Sequence, residues 1–308
     1  MTHKKLAHSM ILVLEYEINP QRKTVATPFY LDLLVFLPLD LLEYDPPKPG
    51  RCVGNELPDL AWTPYGSAEV TWRLLGRVAL VTGGAVGIGE SIVRLFHKHG
   101  AKVCIADIQD DLGKSICESL GAGPDGPHIS FFHCDVTIED EVKRVVDFVV
   151  DKFGTLNIMV NNAGLSGPPC ADIRDFQISM FEQTFDVNVK GVFIGMKHAA
   201  RIMIPSKKGS IVSLCSVASV VGGLGPHAYT GSKHAVLGLT KSVAAERRKH
   251  GVRVNCVSPF AVATGLALAH LPDDERTDDA LSGFRNFVGS CANLKGVELT
   301  VHDVANAV

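Results

Sequence analysis

Several things are scarce in this 308-residue chain, and each scarcity narrows what it can be. Charge of either sign is not in excess: the net charge is −3, so no basic face is available to hold nucleic acid. Aromatic residues make up 7% and form no stripe on which bases could stack. No apolar run approaches the roughly 20 residues that a membrane-spanning helix needs. The most apolar stretch, Leu33 to Leu39, contains Pro38 and is bounded by Asp32 and Asp40. The run from Met10 to Leu14 ends at Glu15, which is short for a signal peptide. No Asn-x-Ser/Thr sequon occurs, and no Cys-x-x-Cys pair stands among the eight cysteines, Cys52, Cys104, Cys117, Cys134, Cys170, Cys215, Cys256 and Cys291. Scattered in this way, they read as reduced core residues of a cytosolic protein. His97 and His99 have no Cys or carboxylate at ligand spacing and read as a solvated helix end, so no metal site is expected.

The texture divides the chain in two. Residues 1–72 carry eight prolines and no sustained period of two or of 3.6, which predicts an irregular or disordered N-terminal extension. From Arg73 onward short apolar runs alternate with helical stretches. Strands are expected over 77–82, 102–107, 129–134, 156–160, 209–216 and 252–257. Helices are expected over 88–99, 110–120, 139–153, 181–203 and 227–250. That alternation predicts an α/β fold, one doubly wound parallel sheet of the Rossmann type, formed as a single domain over 73–308.

Two constellations carry chemistry. The first is Thr82-Gly-Gly-Ala-Val-Gly-Ile-Gly89, where a strand meets a helix. Such a turn offers backbone N–H groups and a positive helix end to a pyrophosphate. Gly83 allows the tight turn, Gly87 lets backbone approach phosphate, and Gly89 lets helix and strand pack closely. Asp107 ends the second strand. A carboxylate there accepts hydrogen bonds from ribose hydroxyls and repels a 2′-phosphate, which favours NAD over NADP. The bland alternative for Asp107 is a solvated helix cap.

The second constellation is Ser216, Tyr229 and Lys233. Tyrosine is a poor base at neutral pH, with an unperturbed pKa of about 10. Lys233 stands one helical turn from Tyr229 on the same face, and an ammonium there favours the phenolate. Ser216, at a strand end, can donate to a substrate oxygen. Together the three can take a proton from an alcohol while its carbon gives up hydride.

Residues 73–308 resemble the short-chain dehydrogenase/reductases. The likeness rests on the glycine turn, Asp135-Val136, Asn161-Asn-Ala-Gly164, Asn188 in Asn-Val-Lys-Gly191, Ser216, Tyr229 and Lys233. The resemblance implies that Gly83, Ile88 and Asp107 contact the cofactor and that Asp135 and Val136 flank its adenine. It implies that Asn161 stabilises the sheet centre and that Asn162, Ala163 and Gly164 lie beside the cofactor. Asn188 would hold a water in a proton relay to Lys233. Lys233 would also bind the nicotinamide ribose beside Tyr229, and Val262 and Thr264 would meet the carboxamide.

The runs 225–239 and 255–264 are similar to the plant NAD-dependent alcohol dehydrogenases of terpenoid and lignan metabolism. The runs 266–277 and 293–300 are similar to members acting in abscisic acid biosynthesis. The expected reaction is oxidation of a secondary alcohol to a ketone on an apolar terpenoid-like substrate, with 264–293 closing the pocket. The alternatives are another plant terpenoid or lignan alcohol, or a non-catalytic, unstable product. Members of the family are dimers or homotetramers. Against that pattern, the chain ends at Val308 without the family's last strand, so the sheet is expected to have a bare edge and assembly is in question.

Overall fold

In a computed structural model, the described residues are 11–14 and 72–308, apart from 122, 124, 125, 171, 248, 249, 270 and 293–295. Most of the N-terminal extension, including Leu33–Leu39 and Cys52, lies outside them.

The first regular strand after the extension is β2 (Val78–Thr82), with all five residues buried. β3 (Lys102–Asp107), β4 (Ile129–His133), β5 (Ile158–Asn161), β6 (Gly209–Leu214) and β7 (Val252–Pro259) follow. A strand covered on both faces has no use for polar alternation, which is why these segments read as continuous apolar runs. Their spatial order is β7-β6-β5-β2-β3-β4, all parallel. The chain therefore builds one half of the sheet outward from β2, then returns to β5 and builds the other half. Between β2 and β5 lies the switch point, where a crevice opens at the strand C-termini.

Helices cover both faces. α1 (Gly87–Lys98) and α2 (Asp110–Ser119) lie on one side. On that side Ile92, Val93, Phe96 and Ile116 pack with Val81, Val103 and Ile105, and α9 (Val301–Ala307) adds Val304 and Ala305. The opposite core joins α3 (Glu139–Phe153), α5 (Val192–Ser206) and α6 (His227–Arg247) to Leu80, Met159, Ile211 and Val254. In α3 the buried residues Val142, Val145, Val146 and Val149 repeat every three to four positions and form one apolar stripe. Gly154 ends that helix in the left-handed conformation, at φ +86°.

Four expectations need correction. The edge beyond β7 is not bare. Ile11–Leu14 forms a strand, β1, that pairs antiparallel with it, Ile11 opposite Pro259 and Leu14 opposite Cys256. The extension is thus not irregular throughout, and edge N–H and C=O groups of β7 find partners in the chain's own N-terminal segment. β7 also runs two residues further than expected, to Pro259.

The helix expected over 181–203 is three segments. α4 (Ile178–Phe185) leads into a π-helical stretch, Asp186–Gly191, and then into α5. The widened turn holds Asn188, which is fully buried and bonds to a neighbouring loop. Such insertions mark functional sites more often than plain helix does. The segment after β7, expected to close the pocket, is partly helical. It forms the short helix α7 (Gly265–Leu268) and α8 (Asp278–Cys291).

Candidate active site

The glycine turn is held by packing as much as by its own dihedrals. Gly83 has φ +60°, and a Cβ there would come within 2.7 Å of the Ala163 Cα. A Cβ on Gly89 would collide with the Gly83 carbonyl and with the Asn162 amide. The β5 end is laced to this turn. The Asn162 amide donates to the carbonyls of Thr82 (3.0 Å) and Gly83 (2.8 Å). The Thr82 hydroxyl accepts from the backbone of Asn162 and Ala163 at 3.1 and 3.2 Å and donates to the Val160 carbonyl. Nothing in the sequence pattern marks Thr82 for this, and its role as a hub shows only in three dimensions.

Val86 precedes α1 and supplies no side-chain cap. The first-turn N–H groups of Gly87, Ile88 and Gly89 stand at the positive end of the helix with no side-chain cap, the arrangement that suits a pyrophosphate. Asp107 is 5% exposed, and Gln109, not Asp107, occupies the N-cap position of α2. The solvated-cap reading fails. The Asp107 carboxylate accepts from the Ala85 N–H (3.0 Å) and the Gln109 N–H (3.0 Å), so it braces the glycine turn from the next strand. Asp135 accepts from the Thr137 N–H at 2.8 Å, with Val136 buried against Gly191.

At the other end of the crevice, a cavity of about 120 Å³ is lined by Ile88, Cys215, Pro259, Phe260, Val262 and Thr264. The glycine turn and the segment after β7 thus meet, with Gly87 against Thr264. A donor-rich helix end, a buried carboxylate and an apolar slot in one crevice fit a dinucleotide cofactor.

Lys233 lies inside this same crevice. It is 5% exposed, donates to the Leu214 carbonyl at 2.7 Å, and sits 5.4 Å from the centre of the Tyr229 ring. Tyr229 is half-buried, with Gly225 against its ring, and it is the only tyrosine beyond residue 65. Asn188 is drawn in from the π-helical turn. Its side chain accepts from the Leu165 N–H (2.7 Å) and donates to the Leu165 carbonyl (2.8 Å) and the Ser232 hydroxyl (2.9 Å). Gly164 lies between Asn188 and the Lys233 ammonium. Ser216 follows β6 in extended conformation and accepts from the Ala218 N–H, which fixes its side chain at the start of a short turn. Asn161 is buried and donates to Ser213 across the sheet centre. Ser232, which ties Asn188 to the Tyr229 carbonyl, is a supporting residue that spacing and motif do not single out.

The geometry is that of a crevice able to bind a dinucleotide next to a Tyr/Lys pair. The family model described as short chain dehydrogenase matches residues 77–275. The chain belongs to the short-chain dehydrogenase family. (+)-Borneol dehydrogenase 2 of Salvia officinalis is 75% identical over 77% of this chain and 82% of its own length. Xanthoxin dehydrogenase of Arabidopsis thaliana is 71% identical over 77% of this chain and 83% of its own. Among solved structures, levodione reductase superimposes with a TM-score of 0.66 at 26% identity, over 76% of this chain and 90% of that one. As a short-chain dehydrogenase the chain is an oxidoreductase, and its near relatives are named for alcohols.

The cysteines fit a reduced interior. Burial pushes the Cys104 and Cys134 thiols up to about 12, which keeps them protonated and inert. The Cys215 thiol, hydrogen-bonded to the free thiol of Cys256 and buried, is pushed up as well. Among the described residues, no helix is long and apolar enough to cross a membrane.

Proposed function

We propose that this protein is an NAD-dependent dehydrogenase that oxidises a secondary alcohol of an apolar terpenoid to the ketone. The observation that carries the proposal is the buried Lys233 ammonium, which is held by the Leu214 carbonyl and lies over the Tyr229 ring beside Asn188.

When bound, the cofactor supplies the hydride acceptor. The protein's own residues do the rest. The α1 N-terminus receives the pyrophosphate, and Asp107 meets the adenosine ribose and disfavours a 2′-phosphate. Asp135 and Val136 border the adenine, Asn162, Ala163 and Gly164 lie along the cofactor, and Val262 and Thr264 meet its carboxamide. Ser216 donates to the substrate oxygen and orients it. Tyr229 takes the hydroxyl proton as hydride leaves the carbon. Lys233 lies over the Tyr229 ring and holds the second ribose. Asn188 keeps the relay to Lys233 in place. Because a proton is released, the oxidation rate should rise with pH.

The similar relatives support two substrates, borneol and xanthoxin. The substrate-loop resemblance favours xanthoxin, and a role in abscisic acid biosynthesis would follow from it. A lignan alcohol is the outer alternative. The reduced cysteine interior supports a cytosolic site of action, and the family's habit supports a dimer or tetramer.

The test is nicotinamide fluorescence on titration with NADH, NADPH serving as control, followed by turnover of both alcohols by the wild type and by Tyr229→Phe. Saturable binding that prefers NADH is expected. Turnover should fall about 10²- to 10⁴-fold in the variant, which keeps its NADH affinity. Full turnover by Tyr229→Phe would overturn the mechanism. Absence of both binding and turnover would favour a non-catalytic chain.

A further inference from the structure

A second cleft, of about 310 Å³, lies beside the cofactor slot. Its walls are Leu165, Gly167 and Pro168 from the loop after β5, Met180 from α4, and Ala269 at the end of α7. Ser166 lines both cavities, so the two adjoin. The lining is mainly apolar, as a terpenoid skeleton requires, but three polar side chains face it: Ser166, Gln183 and Thr184.

Two of the three are already engaged. The Thr184 hydroxyl donates to the Met180 carbonyl at 2.7 Å, back along its own helix. The Ser166 hydroxyl donates to the Leu266 carbonyl at 3.2 Å, tying the loop after β5 to α7. Gln183 differs. Met180, Gln183 and Thr184 stand at i, i+3 and i+4 on α4 and share the face that lines the cleft. The Gln183 side chain is exposed and bonds to no other protein group among the described residues. It can donate twice and accept through its oxygen.

We propose that Gln183 is a specificity-determining residue, and that its amide receives a second oxygen function at the far end of the substrate from the reacting hydroxyl. The preferred substrate class is then a terpenoid alcohol bearing a distal carbonyl or hydroxyl, in preference to a hydrocarbon mono-alcohol. This rests on the dehydrogenase reading given above and deepens it. Borneol has one oxygen, the one that reacts, and offers Gln183 nothing. Xanthoxin has an aldehyde at the opposite end from its ring hydroxyl, an acceptor for the amide N–H.

The test compares the wild type with Gln183→Leu, which shortens the side chain by one bond and removes the hydrogen-bonding atoms. Two readouts are taken on each protein: kcat/KM with NAD for xanthoxin and for borneol, and the binding of each alcohol to the NADH complex by fluorescence. Each alcohol is its own reference, so differences between skeletons cancel in the ratio. Gln183→Leu should lower the xanthoxin-to-borneol ratio about 2- to 10-fold in both readouts, the net worth of one hydrogen bond in a partly open site. Gln183→Glu supplies only acceptors to an aldehyde and should show the same loss. The proposal is overturned if Gln183→Leu changes both alcohols by one common factor, in turnover or in binding. Failure of the dehydrogenase reading looks different. Neither alcohol would then be oxidised by the wild type, while the binding ratio still reports on Gln183.

Discussion

The cofactor side and the substrate side of the crevice are built on opposite principles. Around the glycine turn, polar groups of the protein are bonded to one another: Asp107 to the backbone of Ala85, Asn162 to two carbonyls, Thr82 to three backbone groups. Contacts there are so close that Gly83 and Gly89 have no room for a Cβ. Around the second cleft the surface is open. Leu165, Gly167, Pro168, Met180 and Ala269 wall a cleft of about 310 Å³, and the exposed Gln183 beside them bonds to no other protein group among the described residues. One side is finished before any ligand arrives. The other leaves apolar area and a hydrogen-bonding group uncovered. On the proposed function, a rigid cofactor seat would serve many alcohols, and the choice among them would fall to α4, α7 and the loop after β5.

The sharpest way to break this comparison is to add one methyl group on the finished side. In Gly89→Ala the new Cβ meets the Gly83 carbonyl and the Asn162 amide, both fixed by other bonds. Overpacking of this kind costs about 1–3 kcal/mol, so NADH affinity should fall roughly 10- to 100-fold, accompanied by a lower melting temperature. Titration with NADH and a thermal melt read both. Wild-type affinity in Gly89→Ala would mean that the turn is as yielding as the substrate side, and the contrast would collapse.

Asn188 stands on the boundary and tests how far the rigidity extends. In Asn188→Ala the Leu165 N–H and carbonyl and the Ser232 hydroxyl each lose a partner. An unsatisfied buried group costs about 1–3 kcal/mol. The variant should melt at lower temperature and lose turnover, because Leu165 opens the loop of the second cleft and Ser232 supports Tyr229. NADH affinity should change less than in Gly89→Ala. Equal losses of NADH affinity in the two variants would place Asn188 in the cofactor seat instead.

The same contrast explains what could be read from the amino-acid sequence. The sheet was legible because buried parallel strands must be continuously apolar and a dinucleotide turn must be glycine-rich. Both are local constraints that leave a local record. Ser216, Tyr229 and Lys233, the proposed catalytic set, stand out because the proposed chemistry calls for their types and a helix fixes the spacing of two of them. The π-helical turn at Asn188 left no such record, since a widened turn has the same apolar periodicity on either side. Nor did β1. Ile11–Leu14 is too short to show a period, and its partner, β7, lies more than 240 residues away. Thr82 and Ser232 act through groups contributed by distant segments, so their importance depends on register, which spacing along one chain does not reveal. Gln183 was equally silent, because an exposed glutamine on a helix looks like any solvated residue until the cleft it lines is seen.

The smallest expected effect sharpens the comparison from the open side. Ser166→Ala removes the hydroxyl that ties the loop after β5 to the Leu266 carbonyl. The bond joins two segments that are otherwise loosely held, and its net worth is about 0.5–1.5 kcal/mol. Since Ser166 lines both cavities, losing the tie should let α7 move away and raise KM for the alcohol about 2- to 10-fold. The melting temperature and NADH affinity should stay near wild type, because no group in the glycine turn depends on this bond. A steady-state series in alcohol at saturating NAD, set beside a thermal melt, separates the two effects. If Ser166→Ala instead lowers the melting temperature as far as Gly89→Ala does, the substrate side is part of the rigid frame, and specificity has to be sought in the shape of a fixed pocket rather than in groups left free to meet the ligand.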